Sequence, residues 1–157
     1  MTIIGVDSSG HVKNPPIWVI AARRSKKSGQ KSHAIYISVE KHCELEKCTK
    51  NTKNWFEKVC AILIFKAVTP IFYDGDTIII DKDFQGSEPY IEKYLKKLLQ
   101  DAYSRNPRMA NPTVLFIPDY YNKQVKEAHI KVQNLRHKRF HCSCEKNPSL
   151  EKELSTL

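Results

Sequence analysis

The chain of 157 residues contains no long hydrophobic run. Its most apolar stretch, residues 61–72, is broken by Lys66 and Pro70 and falls short of the roughly 20 apolar residues that cross a bilayer. No basic segment followed by an apolar one stands at the start, where Met1 to Val6 meets the charged Asp7 at once. Secretion is therefore not expected, and a cytoplasmic, intracellular location is. Acidic residues are in short supply: 17 Asp and Glu face 26 Lys and Arg, a formal net charge of +9 with neutral histidines. Such a field raises the local concentration of phosphate backbones, so the implied partner is a polyanion, nucleic acid above all; no membrane partner is expected, because no run is long enough to span a bilayer. The five cysteines are an odd number for a secreted disulfide framework, and no paired CxxC knuckle is present. Internal repeats and low-complexity tracts are also missing, which leaves one domain as the default at this length.

What is present is a series of apolar runs separated by turns. Residues 2–7 read as a first strand ending in Asp7-Ser8-Ser9-Gly10. Past Pro15-Pro16, residues 17–22 are continuously apolar, as in a strand buried on both faces. The chain then turns basic, with Arg23, Arg24, Lys26, Lys27 and Lys31, before a third strand over 33–39. Three strands joined by short turns describe an antiparallel meander. Trp55, Val59, Ile62 and Phe65 recur at helical spacing within 51–68, and Pro70 stops that helix. A turn around Gly75 leads into a fourth strand over 77–81, ending in Asp81. Ser87 and Pro89 open a second helix to about Tyr103, whose expected core face is Tyr90, Ile91, Tyr94, Leu95, Leu98 and Leu99. A fifth strand over 113–117 and a third helix from about 121 to 138 complete a domain of residues 1–140. Residues 141–157, with Pro148, read as a flexible cysteine-containing tail.

Asp7 and Asp81 each end a short apolar strand. Two hard carboxylates on fixed strands can hold Mg²⁺ or Mn²⁺ beside a phosphate, which suggests a nuclease. A strand-ending aspartate can also be a turn former, the role expected of Asp74 and Asp76 around Gly75. The element order of three strands, helix, strand, helix, strand, helix, with acidic residues ending the first and fourth strands, resembles the ribonuclease H-like superfamily over residues 2 to about 139. That resemblance implies an α/β fold: a mixed five-stranded sheet with helices on both faces and the first and fourth strands side by side. It further implies a metal-dependent nuclease that hydrolyses DNA or RNA phosphodiesters with two divalent metals, with Asp7 and Asp81 as ligands. Asp119 after the fifth strand and Glu127 in Lys126-Glu127-Ala128-His129, on a helix that resembles the family's final acidic helix, are further candidates, as is Asp83 if the fourth strand continues past Asp81. Ribonucleases H of type 2 carry an acidic residue directly after the first-strand aspartate and a Gly-Arg-Gly stretch. Ser8 stands here and no such arginine follows, so hybrid specificity is not implied. Asp7-Ser8-Ser9-Gly10 is also similar to the phosphate loop of actin-like ATPases, which need two such domains.

The hairpin residues Arg23, Arg24, Lys26, Lys27 and Lys31, together with Arg136, Lys138 and Arg139 at the end of the last helix, are candidate phosphate contacts. A non-catalytic nucleic-acid-binding module of the same fold would need these patches but not the carboxylates. A third class is an interaction protein that recruits its partner through thiols or tail. Cys43-x4-Cys48 and His141-Cys142-Ser143-Cys144 are poorly spaced for zinc, so reduced thiols are expected, with Cys60 as a buried small hydrophobe.

Overall fold

Isoleucine, valine and alanine dominate the central runs read as strands, and β-branched side chains fit the pleated, half-buried surface of a sheet. A computed structural model of the chain describes residues 2–9, 18–24, 31–49, 51–118, 122–136 and 143–157. In it these runs form β1 (Ile3–Ser9), β2 (Trp18–Arg24), β3 (Ser32–Ile37), β4 (Thr77–Asp81) and β5 (Val114–Ile117). The first three pair antiparallel, with Val6 opposite Ala22 and Ile20 opposite Ile35. β4 lies parallel to β1 on its free side, Val6 beside Ile80, and β5 lies parallel to β4. The sheet order β5-β4-β1-β2-β3, with three antiparallel strands followed by parallel ones, is that of a ribonuclease H-like fold.

Side chains alternate across the sheet, so each strand divides its residues between two helical layers. Ile4, Val6, Trp18, Ile20, Ile35, Ile78 and Ile80 turn to the face covered by α2 (Trp55–Val68) and α3 (Glu88–Ala102), where the main core lies. Val19, Ala21 and Ala34 form a smaller cluster on the opposite face. There α5 (Lys123–Arg136) packs on β1 and β2 and buries Val125 and Ala128. Asp7, one residue after Val6, belongs to this second face.

Several elements depart from the sequence expectation. Residues 39–49 form a separate helix, α1 (Val39–Thr49), in which Leu45 is the one buried side chain described. Asn54 adopts a left-handed φ of 56°, so α2 begins at Trp55 and not at 51. The sheet has a sixth strand: β6 (Ser143–Lys146) runs parallel to β3, with His33 beside Ser143, and α6 (Glu151–Thr156) follows it. A short helix, α4 (Pro107–Ala110), occupies the proline-rich loop.

Residues 143–157, expected as a flexible tail, are docked. Asn147 donates its backbone N–H to Tyr36 O at 2.8 Å, accepts the Ser38 N–H at 2.7 Å and donates its amide to Ser38 Oγ at 3.0 Å. Leu150 is buried in the main core, Leu154 and Leu157 pack against it, and Lys66 pairs with Glu153 at 3.0 Å. The polar run Ser-Cys-Glu-Lys gives no apolar signal because an edge strand joins a sheet through its backbone. Among the described residues no helix is long and apolar enough to cross a membrane.

Candidate site at the ends of β1 and β4

The parallel register that sets Val6 beside Ile80 carries each strand one residue further to an aspartate. Asp7 is 2% exposed and Asp81 half-buried. Burial is the main force on the Asp7 carboxyl and raises its pKa; His129 beside it pulls the other way; the charge of Asp81 and a hydrogen bond shared with it push up again. The net result is about 7, against an ordinary 3.8. Asp7 and Asp81 are thus two acids held against each other where the parallel pairing of the two strands stops; β4 ends at Asp81, whereas β1, expected to end at Asp7, runs on to Ser9 against β2.

His129 places Nδ1 at 3.0 Å from Asp7 Oδ2, and its side chain is 43% exposed. On a helix, Val125, Ala128 and His129 share one stripe through i, i+3 and i+4 spacing. Burial of the first two aims the third at β1. Glu127 leaves on another flank of α5 and meets Arg23 of β2, Nε to Oε2 at 2.7 Å. The contact is electrostatic, since the Nε–H of Arg23 makes no hydrogen bond there. The residue of α5 beside Asp7 is therefore His129, and Glu127 is held by a cation of the neighbouring strand. The stripe spacing was the signal that could have pointed to the histidine.

Asp83 was to share the Asp81 face if the strand continued. The strand stops at Asp81, where the chain turns and the Asp83 N–H donates to Asp81 O at 3.0 Å, leaving Asp83 exposed beyond the sheet. Asp119, Lys26, Lys27, Lys138, Arg139 and the side chain of Arg136 lie outside the described residues. Among the described residues no group of three or more His, Cys, Asp or Glu side chains is arranged to hold a metal ion. Asp7 and Asp81 nonetheless supply the donor chemistry Mg²⁺ or Mn²⁺ prefers, two adjacent carboxylates whose repulsion a cation would relieve.

The basic hairpin lies elsewhere. Because β2 runs against β1, Arg23 and Arg24 stand opposite Gly5 and Ile4, and the Arg24 N–H donates to Lys31 O at 2.9 Å. Arg24 is three residues along the register from the Asp7 level, about 10 Å at the usual rise of a strand. Arg24 grips Asp76 with two hydrogen bonds, Nε to Oδ2 at 3.0 Å and Nη2 to Oδ1 at 2.9 Å. Its guanidinium also lies 4.5 Å from the centre of the Tyr73 ring. Lys31 is exposed and donates to Tyr73 Oη at 2.7 Å; that hydrogen bond, with the Lys31 charge, holds the phenol below its ordinary range. Asp76, expected as a turn residue, is a buried anchor that also accepts the Tyr73 N–H at 2.9 Å.

Cys43 and Cys48 are exposed free thiols on α1, Cys144 is half-buried on β6, and Cys60 is buried in α2, where burial raises its thiol well above the usual range. No model of a known protein family matches the chain, and no curated protein matches its sequence.

Proposed function

We propose that the chain is a divalent-metal-dependent nuclease that hydrolyses phosphodiester bonds of DNA or RNA. The observation that carries this reading is the Asp7 carboxyl, buried against Asp81 where the parallel pairing of β1 and β4 stops. Burying one acid against another is unfavourable without a compensating cation, and sites that tolerate such pairs are enriched in function.

Asp7 and Asp81 would hold Mg²⁺ or Mn²⁺, with Asp119 as a candidate further ligand of a two-metal site. Bound there, the metal would supply an activated water and charge stabilisation at the leaving oxygen. His129 fixes the Asp7 carboxyl through Nδ1, and its solvent-facing side lets it carry a proton between that carboxyl and water. The Arg23–Glu127 pair ties α5 to β2 and so holds His129 in register with Asp7. The net charge of +9 draws the phosphate backbone toward the molecule.

The test is cleavage of labelled single-stranded and duplex DNA, RNA and hybrid by the wild type and Asp7→Asn, with Mg²⁺, Mn²⁺ or EDTA. The expected result is cleavage that requires both metal and Asp7. Absence of cleavage, with salt-sensitive binding retained by both proteins, would replace the nuclease by a non-catalytic nucleic-acid-binding module.

A further inference from the structure

The helix that follows the Asp81 strand carries a surface that the carboxylate chemistry does not use. On α3, Tyr90, Lys93, Tyr94 and Lys97 stand at i, i+3, i+4 and i+7, which puts them on one stripe. That stripe is rotated away from Ile91, Leu95, Leu98 and Leu99, the buried ones. Tyr90, expected in the core, is 49% exposed. Tyr94 is fixed in place: Asn54 Nδ2 donates to its Oη at 3.0 Å, and the ammonium groups of Lys58 and Lys93 lie 5.6 and 5.9 Å from its ring centre. Among the described residues no carboxylate pairs with Lys58, Lys93 or Lys97, whereas Lys96 on the other flank is paired with Glu92 at 2.6 Å. Asp101, one turn past Lys97, ends the basic run.

Chain direction decides where this surface sits. β4 ends at Asp81 and a short turn enters α3 at Glu88, so the first turns of α3 lie at the carboxylate end of the sheet. α2 leads through Thr69–Ile71 to the start of β4, so its last turn lies at the opposite end and its first turn, with Lys58, at the carboxylate end. β2 ends and β3 begins at the opposite end.

We infer that the α2–α3 face bearing Lys58, Tyr90, Lys93, Tyr94 and Lys97 binds a single nucleic-acid strand at the carboxylate end of the sheet. The inference rests on the nucleic-acid reading above and names the surface that reading lacked. Tyrosine rings offer stacking platforms that accept any base, and the unpaired ammonium groups beside them match the phosphates in charge. The alternation of rings and cations suits a chain that alternates bases and phosphates.

The experiment is fluorescence anisotropy of labelled oligo-dT and oligo-U with the full chain over a salt series. The joint variant Lys93→Gln with Lys97→Gln is expected to weaken binding by about tenfold and to lower the slope of log affinity against log salt by about 1.4, two single-strand phosphate contacts. Tyr90→Ala is expected to weaken binding by about tenfold with the salt slope unchanged, as loss of one stacked base should. Wild-type affinity in all these variants, with loss in Lys31→Gln, would assign the strand to the hairpin and overturn this inference alone. Absence of any binding by the wild type at low salt would overturn both the inference and the reading beneath it.

Discussion

The two ends of the sheet treat charge in opposite ways. At the end where β1 begins, Arg24 and Asp76 satisfy each other with two hydrogen bonds, and the buried acid has a second donor in the Tyr73 N–H. At the end where β4 finishes, Asp7 is buried against another acid, and His129 is the one basic side chain seen beside it among the described residues. The first arrangement is what a fold does to stabilise itself. The second lowers the stability of the bare protein, and a bound cation is the simplest condition under which it would not.

Three substitutions and two conditions would break or sharpen that contrast. Asp7→Asn should reduce metal-dependent cleavage on the order of a thousandfold, ~4 kcal/mol of transition-state stabilisation, while the protein stays folded. Rates under substrate saturation, beside a circular dichroism melt, check both halves.

The same variant should remove a loss of stability that the wild type suffers as pH rises. A folded-state acid with its pKa pushed up to about 7 keeps a proton that the unfolded chain gives up near 3.8. Stability of the metal-free wild type therefore falls as pH rises from about 4 to about 7, by about 4 kcal/mol at most. Asn is uncharged throughout, so Asp7→Asn should melt above the wild type near pH 8 and lose that advantage toward pH 4. Adding Mg²⁺ near pH 8 should raise the wild-type midpoint and leave that of Asp7→Asn where it was. Equal melting curves at every pH would contradict the account of Asp7.

At the other end the effect should be structural alone. Arg24→Ala strands Asp76 in the interior and should cost about 3 kcal/mol, read as a lower denaturant midpoint. Cleavage per folded molecule should not change. If it fell sharply, the two ends would not be the separate regions their charge pairing indicates. The smallest effect belongs to His129→Gln, which can still hydrogen-bond Asp7 but carries no proton. It should slow cleavage by roughly tenfold to a hundredfold with KM little changed.

Much of the sheet was legible because β-branched runs announce β1 and β4, and an aspartate closes each run. The pairing of those aspartates followed from strand order. The resemblance implies an acid on the last helix and Glu127 meets that description; only the stripe of Val125 and Ala128 separates it from His129. Tyr90 was misassigned to the core because its spacing from Tyr94 and Leu98 fits an apolar face until the burial of Ile91 and Leu95 fixes the angle. α1 offers a single buried leucine among charged residues, too faint a pattern to separate from a loop. β6 is held by backbone hydrogen bonds and by Asn147, neither of which leaves an apolar trace.

The pairing of β6 with β3 has a consequence for how the protein is made. Synthesis delivers β1 through β5 first, so the acid pair can assemble while the outer edge of β3 is still open. Until residues 143–146 leave the ribosome, that edge offers unpaired amides and carbonyls to any neighbouring nascent chain. Losing the last fifteen residues would uncover the edge and remove Leu150 from the core without touching either aspartate. Truncation before residue 143 would therefore expose an aggregation-prone edge while both aspartates stay in place.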